Sequence, residues 1–250
     1  MKPVKLDVHT HTIMSGHAFG TLDEMVRSAA QKGLEVYGIT EHGPMMEGVL
    51  CKPIYYSCLD FVPREQYGMR LLLGCELNII DDKGSVDLDK THINKLDIRL
   101  AGIHANKIGR FNELGSVKYN TDAYMSVIMN PDIDIITHPD AVDADYDELC
   151  RAAMEHETFL EINNNSLRLL RIRPHAKENI VRLLKIAKEL KMDVILGSDA
   201  HYMAGIGKMD MLEPLLAELE FPESQIINYR PQEFMEFIER KRSRRADTGR

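Results

Sequence analysis

The 250-residue sequence has no tryptophan, few aromatic residues (6%) and no CxxC pair among its four cysteines. Scarce aromatics and a formal net charge of −8 argue against a nucleic-acid surface, which combines a basic face with stacking rings. The same charge argues against an anionic membrane. No apolar run reaches the roughly 18 residues of a membrane span. The cysteines (Cys51, Cys58, Cys75 and Cys150) are scattered, and a chain this long does not need disulfide staples. They read as reduced thiols in a cytoplasmic protein. Residues 4–9 already read as a strand with no apolar leader ahead of it, so no secretory signal is expected.

Hydrophobic content of 44% and charged content of 28% are ordinary for a globular chain able to bury a sizeable core. Short β-like runs alternate with helical segments, the mark of parallel βα units. Strands are expected at 5–10, 36–41, 70–79, 98–103, 133–138, 159–163 and 193–198. Thr21 and Glu24 have capping-box spacing, and Gly33 closes the helix they open. Further helices are expected at 121–130, 145–157, 176–190, 209–219 and 231–242. Residues 43–68 are less regular and read as a loop plus a helix. No linker or repeat divides residues 1–240, which read as one domain. Residues 241–250 continue the basic run Arg240-Lys241-Arg242-Ser243-Arg244-Arg245 and read as a flexible tail. A homo-oligomer is compatible with this composition.

Seven of the ten histidines stand at or just beyond the ends of the apolar runs: His9, His11, His17, His42, His104, His138 and His201. Glu76 and Asp199 stand in the same kind of position. His9 with His11, and Asp199 with His201, are two apart, so each pair can face one side of a strand. His92, His156 and His175 lie in loop or helix contexts and read as ordinary surface residues. In an open sheet these six strand ends would be strung along an edge. A closed sheet brings them to one rim, where barrel active sites lie. The fold expected is therefore α/β, a seven-stranded barrel. Nine ligands exceed the three or four that one zinc ion takes from a protein, which points to two or three ions and metal-assisted hydrolysis. Asp7 is a candidate supporting residue, and Glu161 is buried by pattern, its role open between bracing the barrel and bracing a ligand. Cys75 should face away from the site, and Glu41 away from His42.

The ordered set H-x-H-T, S-x-H, T-E-H-G, G-x-E, G-x-H, I-x-H-P and G-S-D-x-H resembles the PHP (polymerase and histidinol phosphatase) family from Leu6 to about Arg240, and within it the stand-alone phosphatases with three metal ions. The resemblance implies a distorted (β/α)7 barrel. It implies one ion on His9, His11, Glu76 and Asp199, a second shared by Glu76 with His104 and His138, and a third on His17, His42 and His201. Glu76 and Asp199 are then the candidate catalytic carboxylates. Zinc is the first choice of ion, with manganese and iron open. The family more often has Asp where this chain has Glu41, a change beside a ligand.

Three divalent ions bring six positive charges and the two carboxylates return two, so the pocket should prefer an anion such as a phosphate monoester. Lys107, Arg110, Arg168, Arg171 and Arg173 follow strand ends and are candidate phosphate contacts. The reading is a metal-dependent phosphoesterase for small phosphate monoesters. The alternatives are a metal-dependent nuclease or phosphodiesterase, C–N hydrolysis on an amidohydrolase-like barrel, and a non-catalytic metal-stabilised scaffold. The C–N reading usually needs a metal-binding lysine where this chain has Glu76, His104 and His138.

Overall fold

Apolar side chains at alternate positions bring the strands into one curved sheet that nearly meets itself. The computed structural model of the protein describes residues 2–104 and 116–248. Its strands are β1 (Leu6–Asp7), β2 (Val36–His42), β3 (Glu65–Gln66), β4 (Met69–Asn78), β5 (Ile98–Gly102), β6 (Ile135–Ile136), β7 (Phe159–Asn163) and β8 (Ile195–Gly197). Its helices are α1 (Leu22–Gln31), α2 (Pro53–Ser57), α3 (Lys90–Ile93), α4 (Val117–Ile128), α5 (Tyr146–Glu155), α6 (Ala176–Leu190), α7 (Glu213–Glu218) and α8 (Pro231–Thr248). Seven strands run parallel in the order β1-β2-β4-β5-β6-β7-β8, and β3 pairs antiparallel with β4 as an added hairpin.

The gap between β1 and β8 is bridged three ways. Thr10 and Ala200 form a parallel bridge. Ser198 donates from Oγ to the Asp7 carboxylate at 2.5 Å. The Asn228 side chain accepts from Leu196 N at 2.7 Å and donates to Leu6 O at 3.0 Å and Leu196 O at 2.8 Å. The result is a nearly closed, distorted barrel of seven parallel strands with interleaved helices, as expected. Among the described residues no helix is long and apolar enough to cross a membrane.

Leu6, Val8, Val36, Leu72, Ile98, Leu100, Ile135 and Ile195 fill the lower barrel, with Phe234, Phe237 and Ile238 of α8 packed against them at the end where the strands begin. The larger core lies between the sheet and the outer helices. With one mouth sealed by aromatic rings, polar side chains gather at the other. Asp7 is fully buried, but its carboxylate accepts from Ser198 and Gly207, so it fastens β1 to β8 rather than reaching the candidate ligands.

Three strands are shorter than their apolar runs. The run at 133–138 pairs only at Ile135–Ile136, that at 193–198 only at Ile195–Gly197, and that at 5–10 only at Leu6–Asp7. Beyond two of these ends the backbone turns left-handed, at His138 (φ 29°) and Asp199 (φ 51°). Such geometry is rare in non-glycine residues and ends the ladder there.

Residues 241–248 of the segment read as a flexible tail are instead the last part of α8. Lys241 is buried, Arg245 pairs with the buried Asp134 and donates to Pro131 O at 3.0 Å, and Arg244 pairs with Glu157. These anchors lie far away in sequence, so the basic run looks solvated when read alone.

Candidate metal centre

His9 and His11 leave β1 on one side of the chain and meet at the rim. The His9 Nδ1–H donates to Glu161 Oε1 at 2.7 Å, which turns Nε2 toward Glu76 Oε1 (3.3 Å) and Asp199 Oδ1 (3.8 Å). The His11 Nδ1–H donates to Ser15 Oγ at 3.0 Å, which turns its Nε2 toward Asp199 Oδ1 (3.3 Å) and Glu76 Oε2 (3.6 Å). Ser15 is itself fixed, donating to Glu41 Oε2 at 2.5 Å and accepting from His42 N at 3.1 Å. Thr12 also donates to Glu41 through its N–H and hydroxyl. Glu41 thus points away from the His42 ring, as expected.

Glu76, on β4, is the centre of the cluster. Its Oε1 lies 2.7 Å from His138 Nε2 and 3.2 Å from His104 Nε2, and accepts from Thr137 Oγ1 at 3.1 Å. Its Oε2 lies 2.6 Å from His42 Nδ1. His17 closes the outer side, its Nε2 3.2 Å from His42 Nε2 and its ring stacked on His201 with centroids 4.8 Å apart. All nine expected residues therefore converge. Three sets hold ligand atoms within 4.8 Å of one another: His9, His11 and Asp199; His42, Glu76 and His104; and His11, His42 and His201. His11 and His42 each serve two sets, so this partition differs in detail from the one the family resemblance implies.

The donor set fits metal ions. His9 Nε2, His11 Nε2, His42 Nδ1, Glu76 Oε2 and both His104 ring nitrogens are buried without a hydrogen-bond partner. Buried polar atoms are rarely left so unless an ion or water completes them. Burial works against charge on Glu76, but His9, His104 and His42 outweigh it and hold the carboxyl well below its usual range. Asp199 is held down in the same way, chiefly by His9. Burial, then the His42 and His201 charges, lowers His17 to about 4. Burial, then Arg173, lowers His138 to about 4. His9 goes the other way: burial opposes its charge, but Glu161, Glu76 and Asp199 raise it well above the usual imidazole value.

A cavity of about 510 Å³ opens over the cluster. His17, His42, His104, His138, Asp199 and His201 line it, with Met46, Leu169 and Ile172 forming an apolar wall. Of the three candidate phosphate contacts among the described residues, only Arg173 lines this cavity, its Nη1 donating to Ser166 Oγ at 2.7 Å. Arg168 instead donates from Nη2 to both Asp210 carboxylate oxygens at the surface, at 2.8 and 2.7 Å. Arg171 is exposed and does not line the cavity. Lys107 and Arg110 lie outside the described residues. The three histidines read as ordinary do not line the cavity, and His92 and His175 pair with Asp89 and Asp143.

Several residues brace the cluster from around it. Glu161 holds His9 and also accepts from His138 N at 2.7 Å and Asn163 Nδ2 at 3.0 Å. Gly197 makes this possible, because a Cβ there would lie 1.7 Å from Glu161 Oε1. Asn163 and Asn165 extend their amides toward Asp199 Oδ2, at 3.4 and 3.5 Å. Cys75 faces the outer core beside Tyr56, away from the cluster.

The PHP domain model matches residues 7–171. A probable phosphatase of Caldicellulosiruptor saccharolyticus is 39% identical over 94% of this chain and 96% of its own length. A probable phosphatase of Clostridium novyi is 36% identical over 94% and 95%. Among solved structures, the histidinol phosphate phosphatase of Lactococcus lactis, complexed with zinc, L-histidinol and phosphate, superposes with a TM-score of 0.59 at 20% identity, covering 87% of this chain and 94% of that one. A chain in the archaeal ribonuclease P complex with mature tRNA gives 0.57 at 16% identity, covering 94% and 90%. At these identities both likenesses speak to the fold alone.

Proposed function

Because the chain belongs to the PHP domain family, we propose that it is a phosphatase that hydrolyses small phosphate monoesters at the nine-residue cluster, with three divalent ions bound there. The observation that carries this reading is Glu76, one buried carboxylate with imidazole nitrogens of four histidines within 3.3 Å. A carboxylate has about four lone-pair sites, enough to serve more than one ion. His9, His11, Glu76 and Asp199 would hold one ion, Glu76 with His104 and His138 a second, and His17, His42 and His201 the third. When bound, such ions supply positive charge for phosphate oxygens and lower the pKa of water; zinc is the first choice, manganese or iron the alternatives.

The chain's own residues orient both the ligands and the ester. Glu161 fixes the His9 ring so that Nε2 faces the cluster, and the Glu41–Ser15 pair does the same for His11. Arg173, steadied by Ser166, offers a guanidinium to phosphate oxygens at the cavity wall. Met46, Leu169 and Ile172 give the alcohol part of the ester an apolar surface. The net charge of −8 slows the approach of polyanions, most strongly at low salt.

The test is a comparison of catalytic efficiency on an aryl phosphate, its bis-aryl diester and single-stranded DNA, each with added zinc or manganese. The monoester should be turned over fastest, and inorganic phosphate should inhibit competitively. A preference for DNA over every monoester tried would replace the phosphatase reading with a nuclease acting through the same cluster.

A further inference from the structure

The sealed end of the barrel is not wholly apolar. Beside the Phe234 and Phe237 plug, a cavity of about 440 Å³ lies between the chain around residues 60–64, the entry to β5 and the last turns of α8. Its lining carries five cations, Arg64, Lys95, Arg99, Arg242 and Arg245, against the carboxylates of Asp60 and Asp97. Three of these cations are matched. Arg64 donates to Asp97 at 2.5 Å, Lys95 lies 3.6 Å from Asp60, and Arg245 is committed to Asp134.

Arg99 and Arg242 remain. Arg99 is only 4% exposed, and its Nε–H donates to Ile93 O at 2.9 Å, but its Nη1 is buried with no hydrogen-bond partner. Arg242 approaches from α8 and, among the described residues, has no ion-pair or hydrogen-bond partner. The two guanidinium groups act on each other. Burial, the largest cause, pushes Arg99 below its usual value; Asp134 and Asp132 pull it back up, and Arg242 adds a smaller push down. A buried guanidinium nitrogen without a hydrogen-bond partner is costly unless an acceptor completes it.

We propose that this cavity is a second, non-catalytic binding site for a small phosphate-bearing anion held between Arg99 and Arg242. The chemistry favours phosphate over a simple carboxylate. One guanidinium fork already satisfies a carboxylate, whereas a phosphate group can offer oxygens to forks on opposite walls. The volume lies within the ordinary range for small-molecule sites. The site is also separate from the metal-binding cluster. Arg99 is the second residue of β5 and His104 lies two residues beyond its end, five residues or roughly 16 Å along the chain direction.

Phosphate-free, full-length protein titrated calorimetrically with inorganic phosphate tests the proposal. Two classes of binding are expected, one at each end of the barrel. Arg242→Ala changes an exposed residue of α8. It should weaken one class at least tenfold and leave aryl phosphate hydrolysis at the wild-type rate. Arg99→Gln should weaken the same class, and Arg242→Ala decides alone if that variant does not fold. His138→Asn should weaken only the other class. Wild-type phosphate binding in Arg242→Ala would overturn the site, as would a single wild-type class that vanishes in His138→Asn.

Discussion

A carboxylate buried among four imidazoles is stable as an anion only if positive charge reaches it, from protonated histidines or from ions. Glu76 is in that position, and the low values of His17 and His138 leave those two rings neutral and free to bind. Glu76→Gln keeps the shape of the side chain but removes its charge. The variant should lose more than one ion per chain by elemental analysis and lose turnover; normal activity would show that Glu76 does not bridge. Acid should then unload the centre. His17 and His138, lowered to about 4, resist protons until the pH falls toward that value. His9 is raised by Glu161, Glu76 and Asp199, while burial and then the His42 and His201 charges hold His11, on the same ion, well below the usual imidazole value. Dialysis at successively lower pH should therefore lower the metal content progressively as protons take the rings. Full metal retention below about 4, where His17 and His138 also take protons, would count against histidine ligation.

At the scale of elements, the barrel depends on how β1 meets β8. No continuous ladder joins them, and the Asn228 side chain spans the gap with three hydrogen bonds. Asn228→Ala would leave Leu196 N, Leu196 O and Leu6 O without these partners in a buried place. At about 1–3 kcal/mol for a buried group left unsatisfied, the variant should lose roughly 3 kcal/mol, read as a lower urea midpoint with an unchanged slope. A loss below about 0.5 kcal/mol would mean that closure rests on packing alone. None of this was visible in the sequence, where Asn228 is one polar residue after an apolar pair. The strands themselves were legible because apolar runs mark burial. Their paired lengths were not, because the ladders of β6 and β8 end just before the left-handed turns at His138 and Asp199. The length of α8 was hidden as well, since the partners of Arg244 and Arg245 are 87 and 111 residues away.

Across the whole molecule, eight of the nine converging residues were legible because each stands at or just beyond the end of an apolar run and parallel strands deliver their ends to one rim. His17 lies instead in the loop Ile13-Met14-Ser15-Gly16-His17, where spacing alone fits a structural role equally well. The partners of the cluster's supports were not legible, because Glu161, open in sequence to bracing the barrel or a ligand, meets His9 across 152 residues, and Glu41 meets Thr12 across 29. The same limit applies to the arginines: Arg168 and Arg173 look alike in sequence, but only Arg168 has Asp210 within reach. The most direct test of a three-ion phosphatase is to titrate chelated protein with zinc or manganese while following aryl phosphate hydrolysis. Hydrolysis should be absent without metal, rise as ions are added and level off near three per chain. Full activity in the chelated protein, or a plateau at one ion, would contradict it.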